Sequence, residues 1–217
     1  MICIIDYGVG NLFSLKSSLA HLGLEAKVSA DAADIRAADR LILPGVGAFG
    51  DAMAKLEATG LVPVIREEAA KKPLLGICLG MQMMNTYFLV AEEAQRRGWS
   101  GTLLALFDQM KKERYMFTEP VDGHWNGHIT RDSVDSFKHP IRVESGSRIE
   151  HLLGGPEILG ASMHNYRITH PAAALRVTGR TADGTIEALE YGDQMLGVQF
   201  HPEADATSDA LFQMICR

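Results

Sequence analysis

Pro73-Leu74-Leu75-Gly76-Ile77-Cys78-Leu79-Gly80-Met81-Gln82 is the stretch that decides how this chain is read. Pro73 to Ile77 is an apolar run of strand length, and a helix-like run from Leu79 to Phe88 follows at once. A strand that turns into a helix through one residue pushes that side chain out of the sheet, which is the layout of a nucleophile elbow. Gly76 and Gly80, two before and two after Cys78, relieve crowding where the turn is sharpest. The helix start places backbone N–H groups and a positive dipole end beside the sulfur, favouring thiolate. A cysteine at a strand end is commonly plain core; the paired glycines, the strand before and the helix after favour the reactive reading.

A cysteine nucleophile needs a base, and the base needs a group that orients it. Met195 to Phe200 reads as a strand, and His201-Pro202-Glu203 follows directly. His201 can take the proton from Cys78, and Glu203 can hold the other imidazole nitrogen and set the tautomer. Pro202 stiffens the link. Alone, His-Pro-Glu would be a turn with a solvated carboxylate. Both motifs, however, fall just beyond the C-terminal ends of strands, where open α/β sheets place their sites.

Outward from the elbow, the first half alternates strands and helices. Strands are expected at Ile2–Asp6, Glu25–Val28, Arg40–Leu43 and Leu74–Ile77. Helices are expected around Leu12, Leu15, Leu19 and Leu22 with Gly23 as the stop, then at Asp51–Ala58 and Leu61–Ala70. That alternation argues for a mostly parallel sheet with helices on both faces. Gly8-Val9-Gly10 begins like a dinucleotide fingerprint but lacks the third glycine, so it reads as a tight turn.

The second half changes character. Tyr87 to Pro120 reads as mostly helical with breaks at Gly98 and Gly101, and Val121 to Pro140 as polar loop. His124 and His128 are four apart, but Gly123 and Gly127 argue against the helix that would align them, so no metal site is read there. Short strands are expected at Ile141–Glu144, Ile158–Ser162, Leu175–Thr178, Thr185–Glu190 and Met195–Phe200, then a helix from Ser208 to Cys216. Some antiparallel pairing follows from turns at Asp183-Gly184 and Gly192-Asp193.

Composition sets the limits. The chain has 217 residues, 47% hydrophobic and 22% charged, which suits one α/β domain over residues 1–217. A net charge of -6 without a basic run disfavours nucleic acid and anionic membrane as partners. Cys3, Cys78 and Cys216 have neither paired nor metal-like spacing, which points to a reducing compartment. The apolar start, Met1 to Asp6, is too short for a signal peptide, and no segment approaches a membrane span. A cytoplasmic protein without cofactor or metal is expected.

The elbow, the late His-x-Glu and Pro44-Gly45-Val46-Gly47 together resemble the class I glutamine amidotransferases. Asp6 to Leu12, Leu43 to Met53 and Gly76 to Gln82 are similar to the glutaminase subunits of imidazole glycerol phosphate synthases. The resemblance implies a three-layer, flavodoxin-like sheet and a Cys78-His201-Glu203 triad that hydrolyses glutamine through a γ-glutamyl thioester. It implies an oxyanion hole from the N–H of Leu79 with that of Val46 or Gly47. It implies that Gln82 and the backbone around His164, Asn165 and Tyr166 hold the substrate's amino-acid end. It also implies a heterodimer with a (β/α)8-barrel cyclase that takes the ammonia for histidine biosynthesis. Later stretches, His139-Pro140-Ile141-Arg142-Val143, Gly146-Ser147-Arg148-Ile149 and Ala182 to Glu190, instead resemble hydrolases of γ-glutamyl-γ-aminobutyrate. A free-standing γ-glutamyl amide hydrolase is therefore the alternative, and a non-catalytic or recombined relative of the same fold a third reading.

Overall fold

The structure is a computed structural model and describes residues 1–125, 137–205 and 209–214. The strands are β1 (Ile2–Ile5), β2 (Ala26–Ser29), β3 (Arg40–Leu43), β4 (Leu74–Ile77), β5 (Thr118–Pro120), β6 (Lys138–Val143), β7 (Glu157–Ala161), β8 (Tyr166–Ile168), β9 (Arg176–Arg180), β10 (Ile186–Tyr191) and β11 (Met195–Val198). The helices are α1 (Leu12–His21), α2 (Ala32–Ala37), α3 (Phe49–Ala58), α4 (Val62–Ala69), α5 (Leu79–Arg97), α6 (Leu103–Lys112), α7 (Arg148–Leu153) and α8 (Asp209–Met214).

Nine strands form one sheet in the order β2-β1-β3-β4-β11-β10-β9-β6-β7. From β2 to β11 every neighbouring pair is parallel; from β11 to β7 every pair is antiparallel. The fold is thus α/β with a parallel half, as the alternating strands and helices predict, extended by an antiparallel half. β5 and β8 pair separately as a short antiparallel ribbon.

Two apolar cores on opposite faces explain why the parallel strands lack a polar side. In β1, Ile2 and Ile4 join one core while Cys3 and Ile5 join the other. The first core includes Leu15 and Leu19 of α1, Ile149 of α7 and Leu211 and Phe212 of α8. The second draws on Ile35 of α2, Ala52 and Leu56 of α3, Val64 and Ile65 of α4 and a run of α5 and α6 residues. Strands buried on both faces read as continuous hydrophobic runs, and that is how they appear in the sequence.

Short elements are where structure and expectation part. α2 is capped by Asp31, whose side chain accepts from the Ala33 N–H, and buries only Ile35, so it carries no repeating apolar pattern. α7 starts on a Ser147 cap and stops at Gly154 in a left-handed conformation. β5 falls inside the stretch expected to be helical, and β6 begins at Lys138, within the expected loop. α5 does end at the expected break, Gly98, with that glycine at φ 59°. Of the last expected helix, Asp209–Met214 is described; His128 and Cys216 lie outside the described residues. Among the described residues no helix is long and apolar enough to cross a membrane.

One register relation positions the site. β11 lies between β4 and β10, with Val198 opposite Ile77 on one side and opposite Ala188 on the other. The residues following β4 and β11 therefore leave the sheet side by side, although 121 positions separate Ile77 from Val198 in sequence (198 − 77).

Candidate active site

Cys78 sits in the turn between β4 and α5 with φ 53° and ψ -110°. It is one of two non-glycine residues with positive φ among those described. L-residues occupy this region at a cost of roughly 1–3 kcal/mol, and such strain clusters where a side chain must be aimed. The Cys78 N–H donates to Val198 O at 2.7 Å, which ties the turn to β11. Both flanking glycines are close-packing requirements. A Cβ on Gly80 would lie 1.8 Å from Leu43 O, and one on Gly76 would lie 3.0 Å from the Gly80 carbonyl. The helix start is thereby pressed against the ends of β3 and β4.

His201 and Glu203 arrive from β11. The His201 backbone N–H donates to Ala161 O at 3.0 Å, and Glu203 lies in a 3-10 turn, Pro202–Ala204. Nδ1 of His201 is 2.8 Å from Oε1 of Glu203, with both side chains almost fully buried. Nε2 is buried without a well-formed hydrogen bond of its own. Burial opposes a charged imidazole there, but the charges of Glu203 and Cys78, and hydrogen bonding to both, outweigh it. The His201 pKa is raised well above the ordinary value of 6.5. Cys78 and His201 are therefore electrostatically coupled, and among the described residues His201 Nε2 makes no finished hydrogen bond.

Gln199, at the end of a strand in the sequence reading, completes the surroundings of the sulfur. Its Nε2 is 3.4 Å from Cys78 Sγ, while its Oε1 accepts from Gln82 Nε2 at 3.1 Å. The polar residue in the apolar run Leu196-Gly197-Val198-Gln199-Phe200 was the available signal.

The loop after β3 lies against the same helix start. A Cβ on Gly45 would meet the Leu79 side chain at 2.6 Å and the Tyr7 hydroxyl at 2.8 Å. The Tyr7 hydroxyl donates to Pro44 O at 2.7 Å, and burial followed by the nearby Cys78 charge pushes that hydroxyl's pKa up. Val46 is exposed and Gly47 has φ 89°. Leu79 is the first residue of α5, so its N–H has no acceptor within the helix.

The other sequence-predicted residues are grouped on the opposite side of Gln199. Gln82 is buried and its Nε2 also donates to Tyr166 O at 3.1 Å. Asn165 O accepts from the Val121 N–H at 2.9 Å. The His164 ring is buried, with Nδ1 3.1 Å from Tyr166 O and Nε2 3.1 Å from Glu187 Oε1. His124 and His139 join that same carboxylate. Burial would raise the Glu187 pKa, but the three histidines that face it drive it far below the carboxylate range. Burial lowers and Glu187 and Asp183 raise the His124 pKa, and the carboxylates prevail. Elsewhere, an apolar cavity of about 390 Å³ lined by Met53, Val62, Ile65, Met83 and Phe107 contains none of Cys78, His201 and Glu203.

The comparisons with known proteins agree with this architecture. The Peptidase C26 family model matches residues 57–203. The imidazole glycerol phosphate synthase subunit HisH of Moorella thermoacetica is 39% identical over 93% of this chain and 87% of its own length. The same subunit of Streptococcus mutans is 38% identical over 94% of this chain and 91% of its own. The likeness to these subunits therefore continues well past the elbow. Among solved structures, a GMP synthase subunit protein of Thermoplasma acidophilum superposes with a TM-score of 0.64 at 19% identity, covering 99% of this chain and 92% of that one. A structure described as a glutamine amidotransferase also gives 0.64, at 18% identity, covering 99% of this chain and 97% of that one. With a cysteine elbow at the end of β4, a histidine and glutamate beyond β11 and relatives matched along nearly the whole chain, the protein belongs to the class I glutamine amidotransferases, as a glutaminase-type enzyme of the HisH family.

Proposed function

We propose that this chain is the glutaminase subunit of an imidazole glycerol phosphate synthase, with Cys78, His201 and Glu203 as its catalytic triad. The observation that carries the reading is the strained Cys78 at the end of β4, beside the His201–Glu203 pair delivered by the adjacent β11. Cys78 attacks the γ-carbonyl carbon of glutamine as the thiolate, with the proton held on His201. The carbonyl oxygen becomes an oxyanion, stabilised by the Leu79 N–H and by that of Val46 or Gly47, each such donor being worth ~3 kcal/mol of barrier. His201 protonates the departing nitrogen, ammonia leaves, and a γ-glutamyl thioester remains on Cys78. His201 then takes a proton from water, hydroxide attacks the thioester, and glutamate departs as the sulfur becomes the leaving group. Gln82, whose buried Oε1 has no partner among the described residues, is an acceptor suited to the substrate's ammonium group, with the backbone at His164, Asn165 and Tyr166 beside it.

The ammonia goes to a (β/α)8-barrel cyclase in histidine biosynthesis, within the cytoplasm. The kinship with HisH subunits over almost the full chain supports that destination. The match to Peptidase C26 over residues 57–203 favours a second reading, a free-standing hydrolase of γ-glutamyl amides. Glutamine and γ-glutamyl-γ-aminobutyrate hydrolysis, each measured with and without a HisF-type cyclase, separates the two. Stimulation of glutamine hydrolysis by the cyclase, and its abolition in Cys78→Ala with the circular dichroism unchanged, are expected. Rapid turnover of the γ-glutamyl amine with no response to the cyclase would overturn the proposal in favour of the hydrolase.

A further inference from the structure

Three imidazoles and one carboxylate from four separate segments converge next to the active site. His124 follows β5, His139 is on β6, His164 lies between β7 and β8, and Glu187 is on β10. Glu187 is fully buried, His124 and His164 nearly so, and His139 half-buried. One ligand-type atom from each lies within 4.8 Å of the other three. His124 Nδ1 is 3.1 Å from His164 Nε2 and 3.5 Å from Glu187 Oε1. His164 Nε2 is 3.1 Å and His139 Nε2 3.3 Å from that same oxygen. Four atoms held at zinc–nitrogen and zinc–oxygen distances around a tetrahedral ion would be about 3.3–3.4 Å apart.

The outer hydrogen bonds determine where the lone pairs point. Tyr166 O can only accept, so His164 Nδ1, 3.1 Å away, carries the proton. In the neutral ring Nε2 then turns its lone pair toward Glu187. His124 Nε2 is 3.2 Å from Asp183 Oδ2, so by the same logic Nδ1 of the neutral ring turns its lone pair toward His164 and Glu187. With both rings neutral, two imidazole lone pairs and a carboxylate face one another, an arrangement that repels unless a proton or a metal cation stands among them. Among the described residues, His139 Nε2 is near Glu187 Oε1 yet buried without a hydrogen bond, and Glu187 Oε2 is likewise without a partner. Neighbouring vertices of a coordination shell meet in this way, side by side rather than donor to acceptor. A carboxylate and a backbone carbonyl on the far ring nitrogens are the contacts that orient metal-bound histidines.

We infer that His124, His139, His164 and Glu187 form a binding site for one divalent transition-metal ion, zinc being the best match to three imidazoles and a carboxylate. The inference goes beyond the glutaminase reading and does not depend on it. Four protein ligands make a closed, structural kind of site. The ion ties the segments bearing His124 and His164 to β6 and β10. Tyr166 O, held by His164, also receives Gln82 Nε2, so the site braces one wall of the catalytic centre.

The test uses the full chain without a polyhistidine tag, stripped with EDTA and titrated with Zn²⁺ and Co²⁺. Binding of about one equivalent is expected, with a visible cobalt d–d spectrum and no thiolate-to-cobalt charge-transfer band. Cys78→Ser should bind as the wild type does. Glu187→Gln and His139→Ala should bind at least ~100-fold more weakly, and zinc should raise the unfolding temperature of the wild type and of Cys78→Ser but not of these two variants. Should Glu187→Gln fail to fold, His139→Ala carries the comparison, its ring being the least buried of the four. No stoichiometric binding would mean that protons alone occupy the cluster and would overturn the proposal. Loss of binding in Cys78→Ser, or wild-type affinity in His139→Ala, would overturn it equally.

Discussion

Gln199 reaches from the end of β11 to within 3.4 Å of the Cys78 sulfur, so the strand that leads to the proposed base, His201, also carries a donor for the proposed nucleophile. A hydrogen bond to a charged group is worth about 1.5–3 kcal/mol, against about 1 for a neutral pair. The Gln199 amide therefore favours thiolate over thiol. Gln199→Ala should lower glutamine turnover by about 10- to 100-fold and slow the alkylation of Cys78 by iodoacetamide at neutral pH. An unchanged alkylation rate would show that the amide does not act on the sulfur.

Glu203→Gln should lower turnover by about 10²- to 10⁴-fold, because the amide no longer fixes the His201 tautomer or balances its charge. The raised His201 pKa gives the same variant a signature in stability. The folded state holds this proton more tightly than the unfolded chain, so the stabilisation is complete below the unfolded imidazole value of 6.5. It fades as pH rises through the elevated folded value. The stability gap between wild type and variant, from urea denaturation, should therefore be widest at about pH 6 and narrow toward about pH 9. A gap that widens with pH would contradict the assigned coupling.

Gly80→Ala should cost at least about 3 kcal/mol of stability. The added methyl would meet a backbone oxygen, Leu43 O, at 1.8 Å, which no side-chain rotation can relieve. By contrast, a Cβ on Gly47 has open space around it, and φ 89° alone makes an alanine there cost about 1–2 kcal/mol. Denaturation midpoints for the pair rank the two effects.

Cys78→Gly should be inactive yet more stable than the wild type by about 1 kcal/mol, a gain of roughly 2–4 °C in melting temperature. Glycine occupies the φ 53°, ψ -110° conformation without the Cβ penalty. Cys78→Ala keeps that penalty and should melt near the wild type. Equal melting temperatures for the glycine and alanine variants would mean that the elbow stores no strain.

The elbow could be read from sequence because its signals are local. Gly76, Cys78 and Gly80 stand within five residues, and the structure explains both glycines by contacts with Leu43 and with each other's backbone. His201 and Glu203 were legible for the same reason, being two residues apart. The parallel half of the sheet was legible because β1, β4 and, after Arg40, β3 are buried on both faces and hence apolar. α2 and α7 were not, since elements of six residues rest on a cap and one or two buried side chains instead of a period. The histidine cluster was invisible for a different reason. Its members are 15, 25 and 23 positions apart (139 − 124, 164 − 139, 187 − 164), a spacing that no short motif describes. Only the antiparallel half of the sheet and the loops beside it bring them together, with Glu187 fully buried in β10.

The strand order also carries a consequence for how the enzyme is made. β11 is the latest of the sheet's strands to be synthesised, yet it fills the middle of the sheet, between β4 and β10. Until Met195–Val198 leaves the ribosome, the two halves have no shared strand, and Cys78 has neither Gln199, His201 nor the Val198 carbonyl to hold it. A nascent chain therefore cannot assemble the surroundings of Cys78 before β11 has emerged, however early β4 and α5 have folded.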